Sequence, residues 1–268
     1  SVFVSMPIVW TPAVPLGVDN IPFANILLFI PIISGIPLIE HVRRRALLAD
    51  EATLVVVATC DIEIKNEVER SGGIAVMTKN THDRCTDRIE EAIQNLPGEI
   101  IVMVQGDEPL LIPDAISSLV APLLKDKTLP IVNLLSPLES DADYSNPNIV
   151  KAACNKYGDV MYFSRSSIPL FREKVEVPIY RQSGIMAFRR DALINFGSLA
   201  PTPFEKAESV DMFRALENGI KIKGVVVDYP TVGVDRIEDV KVVEEILSKN
   251  PIQNILFKTI CKKNESEN

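Results

Sequence analysis

The chain has 268 residues, 47% of them hydrophobic and 24% charged, which excludes an intrinsically disordered protein and suffices for one large α/β domain with an attached subdomain. A net charge of −8 with a pI near 5.0 argues against nucleic acid as a partner, because proteins that grip a phosphate backbone present a basic face. Two histidines, His41 and His82, exclude a multi-His metal centre, and four scattered cysteines with no C-x-x-C spacing (Cys60, Cys85, Cys154, Cys261) read as reduced thiols in a reducing compartment, the cytoplasm.

Taken in chain order, the first feature is an uncharged stretch from Asn20 to Ile39, followed by His41-Val42-Arg43-Arg44-Arg45. That is the pattern of a membrane anchor with a positive flank. Pro22, Pro31, Pro37 and Gly35 interrupt it, and each proline removes a helix hydrogen bond, so no span is expected. Pro37 to Ala49 reads as an amphipathic helix. Thr53 to Thr59 (TLVVVAT) is a continuous β-branched run, the mark of a strand buried on both faces. Asp61 is placed to cap a helix running to Arg70. A short strand at Gly73 to Met77, a helix at Asp87 to Leu96, an apolar strand at Ile100 to Val104, a helix at Pro113 to Leu124 and a strand at Leu129 to Leu135 follow. This βαβα order predicts a Rossmann-like, mostly parallel sheet flanked by helices. The end of the chain, residues 256–268, reads as a polar tail.

Three segments carry candidate chemistry. Gln105-Gly106-Asp107-Glu108-Pro109 directly follows the apolar strand IIVMV. Ligands of open α/β sheets sit beyond the carboxyl ends of strands, and a carboxylate there suits a hard cation that holds phosphate oxygens. Asp235 follows the strand-like run Lys223 to Tyr229 and fits the same scheme, with a helix cap as the alternative. The run His82-Asp83-Arg84-Cys85-Thr86-Asp87-Arg88 opens a helix, whose N-terminal amides favour polar or anionic ligands. Asp141-Ala142-Asp143 has the D-x-D form of a glycosyltransferase metal motif but lies in the acidic stretch LESDADYSNPN, which reads as a solvated loop.

From about Gly35 to Ser248 the chain resembles the 3-deoxy-manno-octulosonate cytidylyltransferase (CMP-KDO synthetase) family. The resemblance rests on GIPLIEHV, VVVATCDIEI, the His82 to Arg88 loop, VQGDEP, NPNIVK, YFSRSSIP, RQSGIMAFRR, TPFEKAES and GVDRIEDV. It implies a nucleotide-diphospho-sugar transferase fold with a smaller dimerisation subdomain. It also implies transfer of CMP from CTP to a 2-keto-3-deoxy sugar acid, for lipopolysaccharide synthesis, by a cytoplasmic homodimer. Mg²⁺ would sit on Asp107 and Asp235. His82, Thr86, Arg88, Gln105 and Gly106 match the nucleotide-recognition region, and Arg165, Gln182, Glu205 and Asp211 match the region that holds the sugar acid.

The chain departs from the family pattern in places. The loop that grips the triphosphate falls near residues 17–28, where this chain reads GVDNIPFANILL with no Arg or Lys. Residues 1–34 therefore read as an atypical segment in place of the usual first strand and triphosphate loop, ahead of a cytidylyltransferase domain at 35–255. That loss makes a non-catalytic nucleotide- or sugar-binding relative the main rival reading. Cys85 stands where the cytosine loop usually has glycine. Gln182 replaces a histidine, and Asp211-Met212-Phe213-Arg214 replaces a stretch with Glu-Gln. These changes point to a related sugar acid, such as an amino-substituted KDO. No Ser or Cys sits beside a His base, so direct displacement without a covalent enzyme intermediate is expected.

Overall fold

The apolar runs become the strands of a central sheet. A computed structural model describes residues 2–7, 31–229, 231–234 and 236–262, with residues 2–7 described by their backbone alone. Strand β1 (Val2–Pro7) comes first. A small hairpin, β2 (Ile32–Ile33) and β3 (Ile36–Pro37), turns through Ser34 and Gly35 at φ 47° and 85°. That left-handed backbone is the reason glycine stands at 35. The chain then alternates through α1 (Leu38–Ala46), β4 (Ala52–Thr59), α2 (Ile62–Arg70), β5 (Ile74–Met77), α3 (Cys85–Ile93), β6 (Ile100–Met103), α4 (Pro113–Lys125) and β7 (Ile131–Pro137). A five-residue helix α5 (Asp141–Ser145) leads into the antiparallel pair β8 (Lys151–Cys154) and β9 (Val160–Ser164), then the long β10 (Tyr180–Arg189). Helices α6 (Arg190–Ser198), α7 (Pro203–Glu208) and α8 (Met212–Glu217), strand β11 (Ile222–Val226), and helices α9 (Asp239–Lys249) and α10 (Pro251–Lys262) complete the described chain.

The main sheet runs β11-β7-β10-β6-β1-β4-β5. Every strand on that path is parallel except β10, which lies antiparallel between β6 and β7. β8 and β9 extend from β10 as a separate antiparallel flap. Alternation along the strands supplies two cores. Val55, Val57, Ile100 and Val102 face α1 and α4, while Val56, Ile101 and Met103 face α3, Phe163, Phe188 and Phe213. That is why IIVMV and the centre of TLVVVAT, Val55 to Ala58, are apolar throughout: both faces of these strands are covered there. A third cluster under the hairpin joins Ile33, Leu38, Leu110, Val234, Val243 and Leu247.

Several expectations change here. The first strand is present: β1 occupies the middle of the sheet, paired in parallel with β4 and β6. The triphosphate-loop stretch, residues 17–28, lies outside the described residues. Asp61 precedes α2 without a side-chain cap, its amide instead donating to Thr59 Oγ1 at 3.0 Å. Residues 256–262 are not a loose tail but the second half of α10, which buries Ile260. The positive flank of the uncharged stretch is buried too: Glu40 accepts from Arg43 Nε at 2.6 Å and from Arg44 Nε at 2.8 Å. Among the described residues no helix is long and apolar enough to cross a membrane.

Candidate active site

The parallel strands all end on one side of the sheet, where crevices of such folds open. Strand β6 runs into the Gln105 to Pro109 turn, closed by Glu108 N donating to Gln105 O at 3.3 Å. Gly106 is buried in this turn, and Asp107 is half-buried. The main chain of Asp107 ties in a distant segment, since its carbonyl accepts from Val234 N at 2.9 Å. Asp235, next in the chain, lies outside the described residues. The order of the chain thus brings the residue before Asp235 onto the Asp107 turn.

The side chain of Gln105 lies over β10. An added Cβ at Gly184 would stand 2.2 Å from Gln105 Nε2, so any other residue there would displace the Gln105 side chain. This is also where the β10 register shifts, between Gln182 and Met186. Asn133 pins the irregularity by donating to Ser183 O at 2.9 Å and to Ile185 O at 3.3 Å, and it accepts from Gln182 Nε2 at 3.0 Å. Glu108 is buried behind the turn. Burial, and then the Asp107 carboxylate, push its carboxyl up to about 8, against the pull of Arg181 and a hydrogen bond with Ser183, so it is mainly uncharged at neutral pH.

Helix α3 faces the turn with its N-terminus. Thr86 donates to Asp211 Oδ2 at 2.8 Å. Burial raises the Asp211 carboxyl above its ordinary range, against the Thr86 hydroxyl and Arg84. Cys85 lies near both acids. Burial, with Asp211 and Asp107 adding to it, pushes its thiol up to about 12, so it is no nucleophile at neutral pH. His82 contacts the Glu91 carboxylate through Nε2. Arg88 is buried and turns toward the end of β5, donating to Thr78 Oγ1 at 2.6 Å and Lys79 O at 3.2 Å. Of the expected nucleotide contacts, then, Gln105 is half-buried over β10, Thr86 is buried against Asp211, and His82 and Arg88 brace the α3 loop.

The expected sugar residues divide in the same way. Glu205 is 1% exposed and its carboxylate is engaged three times. It accepts from Arg214 Nη2 at 2.5 Å, Arg214 Nε at 2.9 Å and Thr202 N at 3.1 Å, the last closing a capping box on α7. The expectation that Glu205 touches a substrate therefore gives way to a structural role. Arg214 also reaches Asp87 Oδ1 at 2.8 Å and lies over the Phe196 ring, which joins α8 to α3. Arg165 Nε donates to Glu208 O at 2.6 Å, while its Nη1 and Nη2 make longer, exposed contacts with Pro147 O and Ser209 O at 3.2 and 3.4 Å. Arg84 Nη1 reaches the same residue, donating to Ser209 Oγ at 3.0 Å. Two guanidinium groups thus meet at Ser209, two residues from Asp211. Arg84, Arg181 and Ser183 were not singled out from the sequence; their position in the matched loop and in RQSGIMAFRR was the available signal. The D-x-D candidate forms α5 instead, with Asp143 N donating to Ser140 Oγ at 3.1 Å, an ordinary helix start.

An acidic turn at the end of a parallel strand, with a helix N-terminus beside it, suits a phosphorylated substrate, and comparisons with known proteins place the chain among nucleotidyltransferases. The chain belongs to the cytidylyltransferase family, whose model matches residues 30–222. It is 38% identical over 219 residues to the 3-deoxy-manno-octulosonate cytidylyltransferase of Pelobacter propionicus, covering 78% of this chain and 86% of that one. It is 39% identical over 226 residues to the enzyme of the same name from Thermodesulfovibrio yellowstonii, covering 79% and 88%. Among solved structures, a CMP:2-keto-3-deoxy-manno-octonic acid synthetase complexed with CTP superposes with a TM-score of 0.82 at 31% identity, over 92% of this chain and 98% of that one. A 4-diphosphocytidyl-2C-methyl-D-erythritol synthase from Anaerococcus prevotii, 14% identical with a TM-score of 0.59, shares the fold.

Proposed function

We propose that the protein joins CMP from CTP to a 2-keto-3-deoxy sugar acid, KDO or a close relative, and releases pyrophosphate. The meeting of Arg84 and Arg165 at Ser209, beside the Thr86–Asp211 hydrogen bond and within reach of the α3 loop, carries this reading. A sugar acid offers one carboxylate and many hydroxyls. The outer nitrogens of Arg165, whose Nε is already anchored, suit the carboxylate, and Asp211 suits a hydroxyl or an amine. Gln105, held over Gly184, offers both a donor and an acceptor to a nucleobase edge.

The oxygen of the sugar's 2-hydroxyl attacks the α-phosphorus of CTP. The new C–O–P linkage forms as the bond to pyrophosphate breaks, and the hydroxyl proton is released to water. Cys85 remains a thiol in this crevice, so one direct displacement, with inversion at phosphorus, accounts for the reaction. Asp107 and Asp235 offer the hard oxygen donors that Mg²⁺ prefers, and the hydrogen bond from Val234 N to Asp107 O supports their sharing one ion. When bound, Mg²⁺ neutralises triphosphate charge and orients it for attack. Leu170, Phe171, Val175 and Val177, exposed between β9 and β10, suit the contact of a homodimer. A particle mass near 29.6 kDa by light scattering rejects that assembly.

The deciding assay is pyrophosphate release from CTP in the presence of KDO and Mg²⁺, matched by CMP-sugar formed. A protein that binds CTP yet releases no pyrophosphate with KDO or its amino-substituted relative is a binding protein, and the proposal fails.

A further inference from the structure

The turn that carries Asp107 is held from behind by residues that neither the family resemblance nor the site description uses. After Pro109 the chain passes Leu110 and Leu111, buried at 9% and 3% exposure, before α4 begins. Their carbonyls need partners there. Arg45 of α1, fully buried, donates through Nη1 to Leu111 O at 3.1 Å and to Gln253 Oε1 at 2.7 Å. Gln253 of α10, 6% exposed, donates through Nε2 to Leu110 O at 2.9 Å. Two side chains from opposite ends of the sequence thus grip two successive carbonyls and each other.

The grip is itself fixed. Gln253 N donates to Asn250 Oδ1 at 3.1 Å. Helix α10 is held to α1 by Arg44 Nη1 donating to Ile260 O at 3.5 Å and by His41 stacking on Phe257 at 5.6 Å. On its other side the turn borders a small cavity of about 10 Å³, lined by Glu108, Leu110, Leu111, Ile185 and Tyr229 among others. The hydrogen bonds from α1 and α10 therefore add to the bond from Val234 N to Asp107 O in holding the turn. Arg45 is buried with its Nε and Nη2 unmet, an arrangement that costs stability. The fixed turn is what that arrangement provides.

We infer that Arg45 and Gln253 are positioning residues for the Asp107 turn, and that α10 thereby sets how firmly the turn holds a divalent cation. The cation half of this inference rests on the reading given under Proposed function; the clamp does not. A metal-bearing carboxylate must be held to a fraction of an ångström by its supporting groups, and a backbone clamp three and four residues away does this without touching the ion.

The test uses the full chain and two variants. Gln253→Leu removes both bonds made by the Gln253 side chain and leaves Arg45 on Leu111 O. Gln253→Glu keeps an acceptor for Arg45 but loses the donor to Leu110 O. Hydrogen exchange in peptides covering residues 105–112 is measured against β4 as an internal control, with no ligand present. Mn²⁺ binding in the presence of CTP is then titrated by electron paramagnetic resonance. Loss of a buried hydrogen bond should speed exchange of the turn about tenfold while β4 is unchanged, and Mn²⁺ half-saturation should rise several-fold in both variants. Unchanged exchange in the turn overturns the clamp. Faster exchange with unchanged Mn²⁺ half-saturation overturns its positioning role, as does a wild-type protein that binds no Mn²⁺. If Gln253→Leu does not fold, Gln253→Glu gives the same readouts. A wild-type protein that releases no pyrophosphate while both shifts appear rejects the transferase reading and leaves the clamp standing.

Discussion

The turn after β6 and the α7–α8 segment both attract attention for their carboxylates, yet the fold treats them differently. At the turn, Asp107 is held by its main chain: its carbonyl accepts from Val234, and the next carbonyls but two are gripped by Arg45 and Gln253. In α7–α8, Glu205 is held by its side chain, in a buried network with Arg214, Asp87 and Thr202. The first arrangement fixes the backbone that carries a carboxylate; the second uses a carboxylate to build the wall. A buried carboxylate beside a matched motif is therefore no guide to contact until its hydrogen bonds are accounted for.

The largest effect should come from breaking the wall. Arg214→Ala leaves Glu205 buried without its cation and should cost about 3–5 kcal/mol of stability, seen as a fall in the denaturant midpoint. A loss under about 1 kcal/mol would mean that the network behaves like a surface pair. Asp107→Asn should do the reverse, preserving the unfolding midpoint while lowering kcat about 10²–10³-fold through lost charge stabilisation. Near-wild-type turnover would remove Asp107 from the reaction.

Arg165 sharpens the comparison because it combines both modes, with Nε bonded to Glu208 O and the outer nitrogens exposed. Arg165→Ala should raise the KM of the sugar acid about tenfold or more, as expected for a lost charge-assisted hydrogen bond, with a much smaller change for CTP. Equal rises would place Arg165 in the wall with Glu205. The smallest effect concerns His41, behind the turn. Burial, reinforced by Arg45 and Arg44, lowers its pKa to about 4. The unfolded chain binds this proton more readily, so the stability His41 contributes is complete above about pH 6.5 and is lost as pH falls toward 4. Relative to His41→Gln, the wild type should lose about 1 kcal/mol between pH 7.5 and 5.5; parallel stability curves would show that His41 does not carry the difference.

Much of the fold was legible because its signals are local. TLVVVAT and IIVMV announce strands covered on both faces, and VQGDEP follows one of them directly, so the placement of Gln105 and Asp107 could be read from order alone. What stayed hidden depends on distant partners. Glu205 and Arg165 look like ligand groups until Arg214 and the carbonyls near residues 147 and 208 are brought beside them. The uncharged run before α1 looked like a possible anchor because the burial of Arg43 and Arg44 on Glu40 is a tertiary event. Gln253 sits just before a stretch read as a polar tail, and nothing near it in sequence shows that its amide meets Leu110, 143 positions away.

The place of β10 in the sheet has a consequence during synthesis. β6 and β7 are complete once residue 137 has been made, yet neither pairs with the other; the strand that joins them is Tyr180–Arg189. At ribosomal rates the inner edge of β6 waits roughly 4–17 s for its partner, exposing unpaired backbone groups that invite mispairing. Nascent chains stalled before Tyr180 should therefore be open to protease between β6 and β7. Chains stalled well beyond Arg189, with β10 clear of the exit tunnel, should be closed to it.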